Sequence, residues 1–278
     1  MKMIDVLICP TCKGYDLSSA NKKIICINCN NEYLFDDENN QVIFDEVYKT
    51  KNIDEEIFSV KKNKLKYFTW RELNYLKINE YINKIPKNIL CADVGSGPMT
   101  NKNLLSKFQN TIYIDGAKFK SVNIVCDFEK LIPLKDNSVD FILLSNVLEH
   151  MFYPEILLNE IYRVLKTNGK CLILVPYSIK LHQERNDYFR YTKQALKRLL
   201  ENSNFFDHKI KEIGSVSNVL GSILKHDMNT IRKKSSFVKI VIFILQRLIH
   251  KLFLIQRSFD STTINNQIPQ GYSIEIKK

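Results

Sequence analysis

The sequence predicts an α/β fold, a mostly parallel sheet with helices on both faces, preceded by a small cysteine-rich unit. Three observations carry this. Apolar strand-like runs alternate with helix-like segments from about residue 88 to 214. A glycine loop, Asp93-Val94-Gly95-Ser96-Gly97, follows the first of those runs directly. Two CxxC pairs, Cys9 with Cys12 and Cys26 with Cys29, stand near the N-terminus.

The bulk properties set the frame. Of 278 residues, 45% are hydrophobic and 26% charged, which suits a globular chain and excludes a disordered one. The formal charge is +11, which admits nucleic acid, anionic lipid or acidic glycan as partners. The N-terminus reaches Cys9 before any apolar signal core could form. The longest uninterrupted apolar run, 240–245, falls far short of the ~20 residues of a spanning helix. The expectation is a cytoplasmic protein, with peripheral contact to the inner face of a membrane as an extension of it.

Residues 1–45 read as one unit. "CPTCKG" is a tight turn, "KKIICINCNNEY" a strand entering a second such turn, and "YLFDDENNQVIF" two short strands about a polar turn. In a reducing compartment two CxxC pairs are metal ligands, not disulfides. The gap between them lets the two turns meet across a hairpin as a closed S4 site. Zinc is the expected ion, with a structural role because no position is left for water, and iron is the chemical alternative. Without a metal, so small a unit has too little core to hold together. Cys91, Cys126 and Cys171 sit singly in apolar runs, as small buried hydrophobes do.

Residues 46–68 are polar and lysine-rich and read as a linker. From 67 to 83 the apolar spacing suggests a helix, which Pro86 ends. Strands fit at 88–93, 111–114, 122–126, 139–145 and 170–175, and helices at 101–108, 154–166 and 192–202. "NGK" at 168–170 reads as a helix stop leading straight into a strand. Two late strands fit 208–214 and 271–277. Residues 69–278 are assigned to one domain, with a basic insertion at about 225–257. There, Lys and Arg at 225, 232, 233, 234, 239, 247, 251 and 257 face a single acid, Asp227. Apolar residues recur at helical spacing over 237–256, a basic amphipathic helix. It either lies on a membrane surface or covers the sheet or a dimer interface.

The glycine loop alone is a weak signal, because such loops serve many nucleotides. Two features turn it away from a dinucleotide. Pro98, Met99 and Thr100 follow Gly97 where the third glycine would come, and Asp93 precedes the first. An acid there repels a pyrophosphate and suits an ammonium group. Further on, "TIYI" ends in Asp115, placed for ribose hydroxyls, and "VNIVC" ends in Asp127-Phe128, placed beside an adenine. "VDFILLSNVLEH" is a buried strand followed by a polar turn, and "EIYRVLKTNGKCLILVPY" a helix, a stop and a strand.

In these pieces, in this order, the chain resembles the class I S-adenosylmethionine-dependent methyltransferases from about residue 88 to 214, with "PQGYSIEIKK" resembling their closing strand. The resemblance implies a Rossmann-like, seven-stranded, mostly parallel sheet whose last strand is antiparallel. It implies S-adenosylmethionine as cofactor, with Asp93, Gly95 and Gly97 at its methionine moiety and Asp115 at the ribose. Asp127 and Phe128 would then lie at the adenine, and Ser145 and Asn146 beside the sulfonium. The first 45 residues, on "LICPTCKG", "CINCNNEY" and "VIF", resemble the zinc ribbon of activator proteins of tRNA methyltransferases, also fused to many bacterial methyltransferases.

The acceptor is approached by exclusion and by one loop. Base N-methyltransferases often carry a Pro-Pro-aromatic turn where this chain has Ser145-Asn146-Val147-Leu148, and no cysteine beside a proline serves cytosine C5 chemistry. "PYSIKLHQERNDYFRYT", 176–192, has neither helical nor strand period and is dense in His, acid, Arg and Tyr. It resembles the "H…DYxRYT" stretch of methyltransferases associated with surface-polysaccharide or glycolipid synthesis. The implied reaction is O-methylation of a saccharide or lipid-linked glycan. A base must take the hydroxyl proton, and His150, His182 and Asp187 are the candidates. Tyr188, Arg190 and Tyr191 are candidate substrate contacts, Arg190 for a phosphate or carboxylate. An RNA methyltransferase that binds RNA through its ribbon is the alternative, and a non-catalytic activator a second one. Oligomeric state stays open.

Overall fold

In a computed structural model, the described residues are 3–45, 69–98, 101–182, 186–216, 218–219, 222, 241, 244, 248 and 268–278. The expected linker, 46–68, lies outside them, as does the basic insertion apart from Val241, Ile244 and Leu248.

The N-terminal unit opens with a 3-10 turn, Met3–Val6. Four strands follow in antiparallel succession: β1 (Leu17–Ala20), β2 (Lys23–Cys26), β3 (Glu32–Asp36) and β4 (Gln41–Ile43). Strand β1 is not apparent from its polar sequence. It forms because Asn21 and Lys22, both at positive φ, make a two-residue hairpin turn back from β2.

The larger unit begins with α1 (Trp70–Ile82), started by a capping box. The Thr69 hydroxyl accepts from the Glu72 amide, and the Glu72 carboxylate accepts from the Thr69 amide. Then come β5 (Leu90–Val94), α2 (Lys102–Leu105), β6 (Asn110–Asp115), β7 (Ile124–Val125) and β8 (Val139–Ser145). They are followed by α3 (Pro154–Val164), β9 (Leu165–Pro176), α4 (Lys193–Asn202), β10 (Asp207–Ile213) and β11 (Gly271–Lys277). Pairing draws the start of β9 back to Leu165, opposite Val139, so "NGK" lies within the strand. The helix stop is Leu165 itself, whose extended backbone closes α3.

These strands run β7-β6-β5-β8-β9-β11-β10, parallel except that β11 opposes both neighbours. That much agrees with the seven strands expected. Among the described residues the sheet itself has eleven strands, because the ribbon joins it. Strand β4 pairs parallel with β7, Val42 opposite Ile124 and Ile43 opposite Val125. The amides of Val42 and Phe44 donate to the carbonyls of Asn123 and Val125 at 2.8 and 2.9 Å. A two-residue strand at a sheet edge leaves its outer groups unpaired, and the ribbon satisfies them. Ile24 and Val42 of the ribbon share one core with Ile114, Ile124 and Leu134.

Strand β8 shows why the sheet is covered on both faces. Phe141 and Leu143 face a cluster with Trp70, Ile78, Leu105 and Phe108 from the α1 and α2 side. Ile142 and Leu144 face the other, with Leu157, Ile161 and Leu196 from α3 and α4.

Candidate active site

The loop after β5 is built for close approach. Gly95 and Gly97 have φ of 76° and 55°, which side chains disfavour, and a Cβ on Gly95 would run into Val147 Cγ2. The Gly95 amide donates to Ile114 O at 2.8 Å, and the Gly97 amide to Asp115 Oδ2 at 2.8 Å. Asp115 Oδ1 accepts from the Ala117 amide at 2.9 Å. Asp115 therefore fixes the loop as well as standing at the end of β6. Burial pushes its carboxyl up to about 6, with the Ala117, Gly97 and Gly116 amides working against that.

Asp93 is 1% exposed, and neither oxygen has a hydrogen-bond partner among the described residues. Burial, then the charge of Asp115, pushes its carboxyl up to about 7, although the Asn101 side chain slightly favours ionisation. A carboxylate buried this deeply would be stabilised by an ammonium group beside it.

At the next strand end, Asp127 Oδ1 accepts from the Glu129 amide at 2.9 Å. Phe128 is buried in the core. Past β8, Asn146 sits at φ 58°, and its Oδ1 accepts from Trp70 Nε1 at 2.6 Å and Asn74 Nδ2 at 3.1 Å. Its Nδ2 donates to Ser145 Oγ at 3.2 Å. Trp70 and Asn74 thus clamp α1 onto this end of the sheet. The sequence signals them only as a lone tryptophan and a polar residue in an otherwise apolar helical pattern.

The turn after β8, Leu148–His150, meets the loop at 186–191. The amides of Tyr188 and Phe189 donate to Glu149 O, the Tyr191 hydroxyl donates to Leu148 O at 3.1 Å, and His150 Nδ1 lies 2.8 Å from Asn186 O. His150 and His182 come together with ring centroids 4.9 Å apart. Both approach a residue the sequence did not single out, Glu149, which is fully buried. Its Oε1 lies 3.8 Å from His150 Nε2 and 3.7 Å from His182 Nε2.

Asp187 is spent on neighbours. It holds Arg190 through two bonds, Nη1 to Oδ1 at 2.5 Å and Nη2 to Oδ2 at 2.7 Å, and accepts from the His182 amide at 3.0 Å. Burial works to raise its carboxyl, but Arg190 and the His182 amide outweigh this and hold it below the usual carboxylate range. Tyr191 is buried and braces the turn. Tyr188 is exposed and joins exposed Phe152 and Tyr153 in an aromatic platform, with centroids 5.3 and 5.0 Å from Phe152.

In the ribbon, Cys9, Cys12, Cys26 and Cys29 hold their sulfurs within 4.8 Å of one another. Each pair folds alike: the Lys13 and Asn30 amides donate to Cys9 O and Cys26 O at 2.8 Å, and both residues have φ 59°. Burial raises the Cys9 thiol, but the Tyr33 hydroxyl and the Cys12 and Thr11 amides bring it down to about 6. Four converging sulfurs fit a tetrahedral zinc ion.

A family model described as a methyltransferase domain matches residues 81–173. An uncharacterized protein of Methanocaldococcus jannaschii is 38% identical over 122 residues, 41% of this chain and 52% of that protein. An uncharacterized methyltransferase of Schizosaccharomyces pombe is 35% identical over 95 residues, 31% of this chain and 38% of the other. The chain thus spans about half or less of the curated relatives it matches. Among solved structures, an S-adenosylmethionine-dependent methyltransferase from Archaeoglobus fulgidus is similar at TM-score 0.48 and 20% identity, covering 75% of this chain and 94% of that one. Over residues 81–173 the chain is similar to a methyltransferase domain.

Proposed function

We propose that this methyltransferase domain transfers a methyl group from S-adenosylmethionine to a hydroxyl of a saccharide or lipid-linked glycan. The acids at successive strand ends suit the donor: Asp93 its ammonium group, Asp115 its ribose, Asp127 its adenine end. The acceptor oxygen attacks the methyl carbon in line with the carbon–sulfur bond. That bond breaks, its electron pair stays on sulfur, and S-adenosylhomocysteine leaves as a neutral thioether. The hydroxyl proton is lost at the Glu149, His150 and His182 cluster. Val147, against Gly95, sets this cluster beside the donor loop.

The observation that carries the acceptor class is the platform of Phe152, Tyr153 and Tyr188. Exposed rings bordering a polar cluster offer an apolar face for the C–H side of a sugar while the cluster meets a hydroxyl. Asp187 and Arg190 act as positioning residues, since each satisfies the other. Zinc in the ribbon is structural. No helix among the described residues is long and apolar enough to cross a membrane. Val241, Ile244 and Leu248, helical and exposed at spacings of one face, favour a basic insertion that rests on a membrane surface.

The test is transfer of labelled methyl from S-adenosylmethionine into a native lysate, fractionated into lipid, polysaccharide, RNA and protein. Label in lipid or polysaccharide is expected. Label in RNA alone would overturn the glycan reading in favour of RNA modification. No label, with no donor binding by calorimetry, would leave a non-catalytic activator.

A further inference from the structure

We infer that Glu149, His150 and His182 bind one divalent transition-metal ion, a second metal site distinct from the cysteine cluster. The reason lies in which atoms face each other. The Asn186 carbonyl can only accept, so the His150 Nδ1 it meets at 2.8 Å carries the hydrogen. His150 Nε2 is then a lone pair. His182 Nδ1 lies 3.5 Å from Asp187 Oδ2 without a hydrogen bond, and in the tautomer that keeps its hydrogen on Nδ1 the ring presents its Nε2 lone pair to Glu149. Both Nε2 atoms point at a carboxylate that is 0% exposed. Neither Glu149 oxygen and no part of His150 Nε2 has a hydrogen-bond partner among the described residues.

Glu149 and His150 Nε2 thus converge as acceptors, joined by His182 Nε2 when that ring carries its hydrogen on Nδ1, and a cation in the middle satisfies all three at once. The three ligand atoms lie within 4.8 Å of one another. A small contraction brings each to the ~2.0–2.2 Å of a zinc–nitrogen or zinc–oxygen bond. The surroundings suit a metal site: His150 Nδ1 meets a peptide oxygen at 2.8 Å, and a carboxylate oxygen of Asp187 stands 3.5 Å from His182 Nδ1. Two imidazoles and a carboxylate are borderline ligands that suit zinc, iron, cobalt or manganese, whereas the four thiolates select zinc.

Three protein ligands leave positions open to an acceptor hydroxyl. The ion favours its deprotonated form, and the proton passes to water. This catalytic meaning rests on the glycan-hydroxyl reading above, but binding of the ion does not, and the test reads binding alone. The full chain is equilibrated with Co2+, dialysed, and its metal content and absorption spectrum are measured. Wild type is expected to hold two ions per chain. One shows the intense near-ultraviolet sulfur-to-cobalt band of the cysteine site, the other only weak visible bands. Glu149→Gln and His182→Ala should each keep the sulfur band and lose the second ion. That retained band, together with unchanged S-adenosylmethionine binding by calorimetry, shows that the variants are folded. One ion per chain in wild type would overturn the inference, and so would a second ion that survives both substitutions. Loss of label from glycan with two ions still bound would overturn the acceptor reading alone.

Discussion

Replacing Asp93 by Asn should stabilise the free protein, and more so as the pH rises. The carboxyl titrates at about 7 in the fold against 3.8 ordinarily. Because the folded value is raised, the folded state holds its proton longer than the unfolded chain does. Stability is therefore full below pH 4 and falls as pH rises toward 7, above which the loss levels off. At ~1.4 kcal/mol per pH unit, keeping Asp93 buried costs about 2 kcal/mol at pH 5 and about 4 at pH 8. Asn carries no charge at either pH. Chemical denaturation of the two proteins without ligand should show the stability gap widening by about 2–3 kcal/mol between pH 5 and pH 8. In thermal melts this is ~5–10 °C. The same substitution should abolish stabilisation by added S-adenosylmethionine, because the ammonium group loses its counter-charge. A gap that stays flat from pH 5 to 8 would refute the reasoning, since burial of an unpartnered carboxylate would then cost nothing.

Three further outcomes follow from the geometry. Gly95→Ala, at φ 76° with its new carbon against Val147, should cost about 1–3 kcal/mol in urea denaturation. Asp115→Ala should weaken S-adenosylmethionine binding by ~10- to 100-fold in calorimetry, because charge-assisted hydrogen bonds to the ribose are lost. Unchanged affinity would remove Asp115 from the donor site. Phe152→Ala should raise the KM for a glycan acceptor by ~3- to 10-fold and leave the KM for the donor unaltered, the value of one stacked ring.

Much of the fold is legible in the sequence, for physical reasons. Strands β5, β6 and β8 are apolar runs that end in an acid or a polar turn, so their existence is legible in the chain. His150 and His182 stood out as titratable groups beside strand ends. Glu149 did not, because a glutamate just past a strand looks like a solvated turn, and its burial depends on a loop some 35 residues further on. Arg190 and Tyr191 have the chemistry of substrate contacts, yet Arg190 is committed to Asp187 and Tyr191 to Leu148 O. Local sequence shows what a side chain can bond, not which neighbour reaches it first. Trp70 and Asn74 belong to the same class of long-range partners. The eleven-stranded sheet was hidden likewise, since β4 and β7 pair across some 80 residues through strands of three and two residues.

That joint has a colloidal consequence. A ribbon docked through backbone ladders is also a lid on an otherwise open β edge. A chain cut at residue 45 would present β7 bare, with Ile124 and Val125 beside it, as a template for a second copy. The cysteine cluster then guards solubility as well as shape. If zinc holds the ribbon as proposed, its removal should expose this edge and promote aggregation.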